Sequence, residues 1–112
     1  MGLTALPKAC SRKEAFHFRR ANIESRVPAN AGIYLFWSGR LCVYVGQAKN
    51  LQDRLMSHWR KSHSDEINLW IAALGSHLCI SYERVEVNLG RAEQHLIDRY
   101  SPHLNKINAR RL

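Results

Sequence analysis

Acidic residues are scarce in this chain: 9 Asp and Glu stand against 17 Lys and Arg, a net charge of +8 over 112 residues. A surface that basic draws polyanions, with nucleic acid the expected partner ahead of an anionic membrane. Also lacking is any run of about 18 apolar residues, so no membrane-spanning helix is expected. Met1 to Cys10 carries a lone Lys8 and no apolar stretch, which is not the pattern of a secretory signal. Cysteine is limited to Cys10, Cys42 and Cys79. Their odd number and wide spacing match neither a disulfide framework nor the paired spacing of a zinc site. Cys42 and Cys79 fall in apolar runs, where reduced cysteine acts as a small buried hydrophobe. The expectation is three free thiols in a reducing, cytoplasmic setting.

What is present is ordinary for one globular domain: 46% apolar and 23% charged residues, with no repeat or low-complexity tract. Residues 1–26 read as a basic arm. Ser11 followed by Glu14 matches a capping box for a short helix to about Arg20, although Phe16 and Phe18 alternate as a strand would. Residues 27–105 read as the folded domain and residues 106–112 as a basic tail. Gly32 to Trp37 and Leu41 to Val45 are β-branched and aromatic, and Ser38-Gly39-Arg40 between them supplies turn chemistry, so the pair predicts an antiparallel hairpin. A helix is predicted from Asn50, a good N-cap, with Leu51, Leu55 and Trp59 on one stripe and Arg54 and His58 on the next. A second is predicted from Ser64 to Leu74, stopped by Gly75. Leu78, Ile80 and Tyr82 alternate as a third strand, which could run on to Val87. A last helix spans Leu89 to Tyr100, burying Leu89, Ala92, Leu96 and Ile97, and ends ahead of Pro102. The order β-β-α-α-β-α implies an α/β (α+β) fold in which a small three-stranded antiparallel sheet is flanked by helices.

Certain residues in this frame form a pattern. Gly32-Ile33-Tyr34 is followed by Tyr44-Val45-Gly46, then by Arg54 and His58 on the first predicted helix, Glu93 on the last, and Pro102-His103-Leu104-Asn105 after it. Five elements in this order resemble the GIY-YIG nucleases, and the likeness covers roughly Val27 to Asn105. It is a likeness to the repair branch of that family, the N-terminal nuclease domains of bacterial excision-repair incision subunits. One departure is Gln47, where the repair branch often has Lys.

The resemblance implies the fold already read from the periodicity, and it implies DNA as substrate. It assigns Tyr34 as general base on the attacking water, Tyr44 as its neighbour across the hairpin, and Arg54 as clamp on the scissile phosphate. His58 would accept the proton from Tyr34, Asn105 would support the site, and Glu93 would hold one Mg²⁺ or Mn²⁺. Each assignment is chemically reasonable. A phenol titrates near 10, so about one in a thousand is ionised at pH 7, a deficit of roughly 4 kcal/mol that positive charge or a second base must cover. A guanidinium matches phosphate oxygens and keeps its charge. Hard divalent ions prefer oxygen donors and complete their shell with water and phosphate, so one protein carboxylate suffices. Gln47, Lys49, Asn50 and Arg91 are the expected phosphate-binding residues, since a turn into a helix N-terminus favours anions. Nothing marks a sequence-reading module, so low specificity is expected, and dimerisation on DNA is open. The alternatives are a silent DNA-binding module of the same fold and a basic RNA-binding domain, though the strands carry no aromatic ribonucleoprotein motif.

Overall fold

The computed structural model describes residues 10, 12, 14–60 and 65–105, the side chains of residues 65, 66, 68 and 76 excepted. Its elements are β1 (Phe16–His17), α1 (Arg20–Arg26), β2 (Gly32–Ser38), β3 (Leu41–Ala48), α2 (Leu51–Arg60), α3 (Asp65–Leu74), β4 (Cys79–Arg84) and α4 (Leu89–Tyr100). One antiparallel sheet forms with strand order β1-β4-β2-β3. It has four strands where three were expected. The extra strand is Phe16–His17, paired with Ile80 and Cys79. The helix expected to reach Arg20 instead starts there, and Ser11, the proposed cap, lies outside the described residues. The alternation of Phe16 and Phe18 was therefore the better signal, because both rings are buried in the core while a helix would have turned one of them outward.

β2 lies between β4 and β3 and is buried from Gly32 to Trp37. Helices cover both of its faces, which is why its sequence reads as a continuous apolar run without alternation. On one face Tyr34 and Phe36 pack with Ile23 of α1, Leu51, Leu55 and Met56 of α2, and Ile67 of α3. On the other, Ile33, Leu35 and Trp37 pack with Leu96 of α4, and Leu89, Ala92 and Ile97 join them. Of the predicted stripes, Leu51, Leu55 and Leu96 are buried and Leu89, Ala92 and Ile97 partly so, while Trp59 is exposed at 36%. Trp37 donates its indole N–H to Ser81 Oγ at 2.8 Å, so neither polar group is stranded in the core.

Two irregularities set the geometry around the hairpin. Gly39 takes φ 59° in the turn, as a tight β2–β3 connection requires. A bulge between Phe36 and Trp37 then offsets the register, so Trp37 faces Cys42 while Phe36 faces Tyr44. Without the additional residue, Tyr44 would pair with Leu35 and point toward α4. The bulge moves it onto the face of Tyr34.

Gly32 is required by close approach: a Cβ there would overlap the Glu83 carbonyl oxygen on β4 and come within 2.7 Å of Leu51 Cδ1. Neither the paired strand nor the buried leucine can yield easily. Gly32→Ala is expected to destabilise the fold by about 1–3 kcal/mol, read as a lower urea midpoint at unchanged slope. An unchanged midpoint would show that the β2–β4 pair can spread without cost.

The cysteines depart from expectation. Cys10 and Cys79 are joined as a disulfide with Cα atoms 6.1 Å apart, across a sequence separation of 69. Cys42 alone is free and buried, its thiol pushed up to about 12 chiefly by burial. Spacing could not reveal this pair, because the proximity comes from β1 joining β4.

Candidate active site

Tyr34 leaves the middle of β2 toward α2 and is 1% exposed. Arg54 and His58, one helical turn apart on α2, both reach its hydroxyl. Arg54 Nε donates to Tyr34 Oη at 3.3 Å, and Tyr34 Oη lies 3.0 Å from His58 Nε2. The guanidinium can only donate, and the direction of the Tyr34–His58 bond is set by the imidazole tautomer: with Nε2 unprotonated the phenol donates to it, linking Arg54, Tyr34 and His58 in one chain. His58 is itself buried, at 3% exposure, where a histidine on a solvated helix face would be open. The i, i+4 stripe read from the sequence thus converges on the Tyr34 hydroxyl.

Directly beside this chain stands Gly46, paired with Tyr34 across the hairpin. A Cβ on it would collide with the Tyr34 hydroxyl and come within 2.8 Å of Tyr44 Cε2. The second glycine of the motif is thus a space requirement imposed by the two tyrosines. Tyr44 is diagonal to Tyr34, not directly opposite, with ring centroids 6.1 Å apart.

α4 packs against the opposite face, so its carboxylate can join the site only around the open β3 edge. Glu93 does so, accepting from Gln47 Nε2 at 3.4 Å at that edge. Its negative charge is close enough to raise the titration of both Tyr44 and Tyr34. Burial is the larger cause for each phenol: Tyr34 is held well above its ordinary value by desolvation and by Tyr44, against the lowering effect of Arg54. Burial also raises the Glu93 carboxyl, opposed by its hydrogen bonds from Gln47. Arg54 is raised, chiefly by its bond to Tyr34. Among the described residues no cation lies within salt-bridge distance of Glu93. A half-buried carboxylate held by the neutral Gln47, with oxygen donors to offer, suits a hard divalent ion.

The remaining sequence candidates separate into two groups. Gln47, Lys49, Asn50 and Arg54 line one open groove of about 520 Å³ together with Ala48, Asp53 and Ser57. Asn50 Oδ1 is engaged as the α2 cap, accepting from the Asp53 N–H at 3.0 Å. Ser57, absent from the sequence candidates, was findable by its i+3 spacing from Arg54. Arg91 is exposed on α4 two residues from Glu93, and residues two apart on a helix do not share a face. Asn105 is engaged with the backbone of β3. Its amide bonds both backbone groups of Val45, accepting from the N–H at 2.8 Å and donating to the C=O at 3.0 Å. One side chain thereby mimics a fifth strand on the β3 edge and pins the residue between Tyr44 and Gly46.

A four-stranded antiparallel sheet with helices on both faces, two tyrosines on one face, an α2 Arg-His pair and an α4 glutamate at the sheet edge defines a GIY-YIG domain. The model of the UvrC-like GIY-YIG domain matches residues 30–106, and the chain belongs to that family. It is 33% identical over 84 residues to UvrABC system protein C of Aquifex aeolicus, and 29% identical over 79 residues to that of Fusobacterium nucleatum. These alignments cover 75% and 70% of this chain but 15% and 13% of the relatives, so the chain spans a small part of their length. The fold is similar to the crystal structure of the N-terminal endonuclease domain of Thermotoga maritima UvrC bound to its catalytic magnesium, with TM-score 0.60 and 26% identity over 75% of this chain and 91% of that one.

Proposed function

We propose that this domain is a divalent-metal-dependent DNA endonuclease that hydrolyses phosphodiesters to a 5′-phosphate and a 3′-hydroxyl with little sequence specificity. The observation that carries the reading is the Arg54–Tyr34–His58 chain lying near a Glu93 carboxylate with no cationic side chain in salt-bridge distance among the described residues. The attacking water gives its proton to Tyr34 Oη as the phenol proton passes to His58 Nε2. A standing phenolate is not needed, and burial disfavours one. Arg54 spends Nε on Tyr34 and turns its remaining donors to the phosphoryl oxygens. Tyr44, half-buried at the mouth, orients the water. Glu93 would hold Mg²⁺ or Mn²⁺, which supplies Lewis-acid polarisation and neutralises charge on the leaving 3′ oxygen. Lys49 and the groove along α2 track the backbone, and Asn105 positions β3. Arg91 adds charge near the site without entering it. No helix of the described residues is long and apolar enough to cross a membrane, and we place the enzyme with DNA in the cytoplasm. Each chain carries one site, so a double-strand break takes two copies or two visits.

Supercoiled plasmid with Mg²⁺ is expected to become nicked, the nicks to be sealed by DNA ligase, and a chelator to stop the reaction. Sealing requires adjacent 5′-phosphate and 3′-hydroxyl ends, so unsealable nicks contradict the proposed products. Binding without cutting under every divalent ion would favour the silent module.

The raised Glu93 carboxyl also fixes the sign of a pH effect. Metal needs the carboxylate, so below the folded titration point a proton competes, and the apparent Mn²⁺ affinity falls about tenfold per pH unit. Because that point lies above 4.5, the loss begins at higher pH than for an exposed glutamate. Mn²⁺ titration by electron paramagnetic resonance across the acid range checks this. An affinity flat down to the ordinary carboxylate range would exclude Glu93 as the ligand.

A further inference from the structure

The sulfur atoms of Cys10 and Cys79 and a ring nitrogen of His17 all lie within 4.8 Å of one another. This cluster is unrelated to the nuclease site. His17 and Cys79 are paired across β1 and β4, and β1 is the sheet edge opposite β3. Three strand spacings, roughly 14 Å, separate that edge from the one carrying Gln47. We propose that Cys10, His17 and Cys79 form a redox-gated zinc site, closed to metal as the disulfide and opened by its reduction.

The chemistry favours a soft-ligand ion. Two thiolates and an imidazole are a common zinc set, and their ligand atoms in a tetrahedral shell sit about 3.5–3.8 Å apart. Breaking the sulfur–sulfur bond lets the two sulfurs part to that spacing, with the imidazole already inside the cluster. Cross-strand pairing fixes two of the three ligands on rigid backbone, and Cys79 is buried while Cys10 and His17 are half-buried. The site is therefore anchored in the core and open at the sheet edge, which leaves a fourth position for water. Opening the Cys10–Cys79 bond takes two electrons and two protons. A dithiol reductant supplies both and closes to its own disulfide, leaving two thiols. Zn²⁺ then displaces the two thiol protons. The same three residues thus answer to redox state and to zinc supply, and both states tie Cys10 to β4.

Cobalt is the test probe, because thiolate-to-cobalt charge transfer reports sulfur ligation that ions held by Glu93 cannot produce. The full chain, reduced with a phosphine in metal-free anaerobic buffer, is expected to bind one equivalent of Co²⁺ with that band, and Zn²⁺ should displace it. The oxidised chain should show none. Cys10→Ser and Cys79→Ser should each weaken binding by roughly a hundredfold and His17→Ala by at least about tenfold, as loss of a ligand does. If reduction alone loosens the fold, Zn²⁺ should restore cooperative thermal unfolding to the wild type and not to Cys79→Ser. A reduced chain without the charge-transfer band, or a His17→Ala variant that binds Co²⁺ as tightly as the wild type, overturns the proposal.

Discussion

Glu93→Gln is expected to lower metal-dependent nicking by about 10²–10³-fold while DNA affinity, measured without metal, stays within about twofold. The substitution keeps the size of the side chain and an oxygen that can still accept from Gln47, so it removes charge with little else. Charge is what a hard divalent ion requires of this position, because water can supply its other ligands but cannot supply a fixed anion. DNA affinity should hold because it rests on the chain's basic excess, 17 Lys and Arg against 9 Asp and Glu, and on counterion release. Removing one carboxylate even favours phosphate slightly. Raising Mn²⁺ concentration should recover part of the rate, since the neutral amide is a weaker ligand and not an obstruction. Equal nicking by Glu93→Gln and wild type at limiting metal would remove Glu93 from the chemistry. Lost nicking together with lost binding would point to damage at the β3 edge.

The sequence revealed more of the candidate site's layout than of the edges of the fold. Tyr34, Arg54 and His58 could be placed on one face because strand and helix periodicities are strict and both elements are strongly apolar on their buried sides. The hairpin turn at Gly39 and the helix stop at Gly75, both at positive φ, were legible for the same local reasons. Three features depended on non-local geometry. β1 is two residues long, so the alternation of Phe16 and Phe18 was its one local trace and nothing showed which strand it joins; the Cys10–Cys79 proximity is a consequence of that pairing. The bulge that brings Tyr44 to the Tyr34 face leaves no trace in composition, yet it decides which way that tyrosine points. Asn105 was read as supporting the site, but how it could do so was not legible: its bonds to Val45 close a strand edge that only the assembled sheet exposes. Gly46 belongs between these cases. The motif marked it, but the reason for it, the space taken by Tyr34 and Tyr44, appears only when the strands pair.

Tyr34→Phe is expected to slow cleavage by about 10²–10⁴-fold, the range for loss of a positioned proton-transfer group. The ring remains to fill the core, so the loss falls on the hydroxyl. Folding stability should drop as well, by about 1–3 kcal/mol, because Arg54 Nε and His58 Nε2 lose a shared partner in a buried setting. Catalytic and structural effects can be separated by two observations. If water, Tyr34 and His58 act as one proton path, the steps are not independent, and Tyr34→Phe combined with His58→Ala should cost little more than the worse single change. Independent roles would instead multiply. The second observation is the pH profile. A standing Tyr34 phenolate as base would make the rate climb about tenfold per pH unit through the ordinary phenol range near 10 and past it, since burial holds this phenol above that range. Transfer through to His58 spares the enzyme that ionisation, so the rate should level off well before pH 9. Multiplicative losses together with a slope that persists above pH 9 would leave Arg54 and Tyr34 as a base pair of their own and reduce His58 to packing.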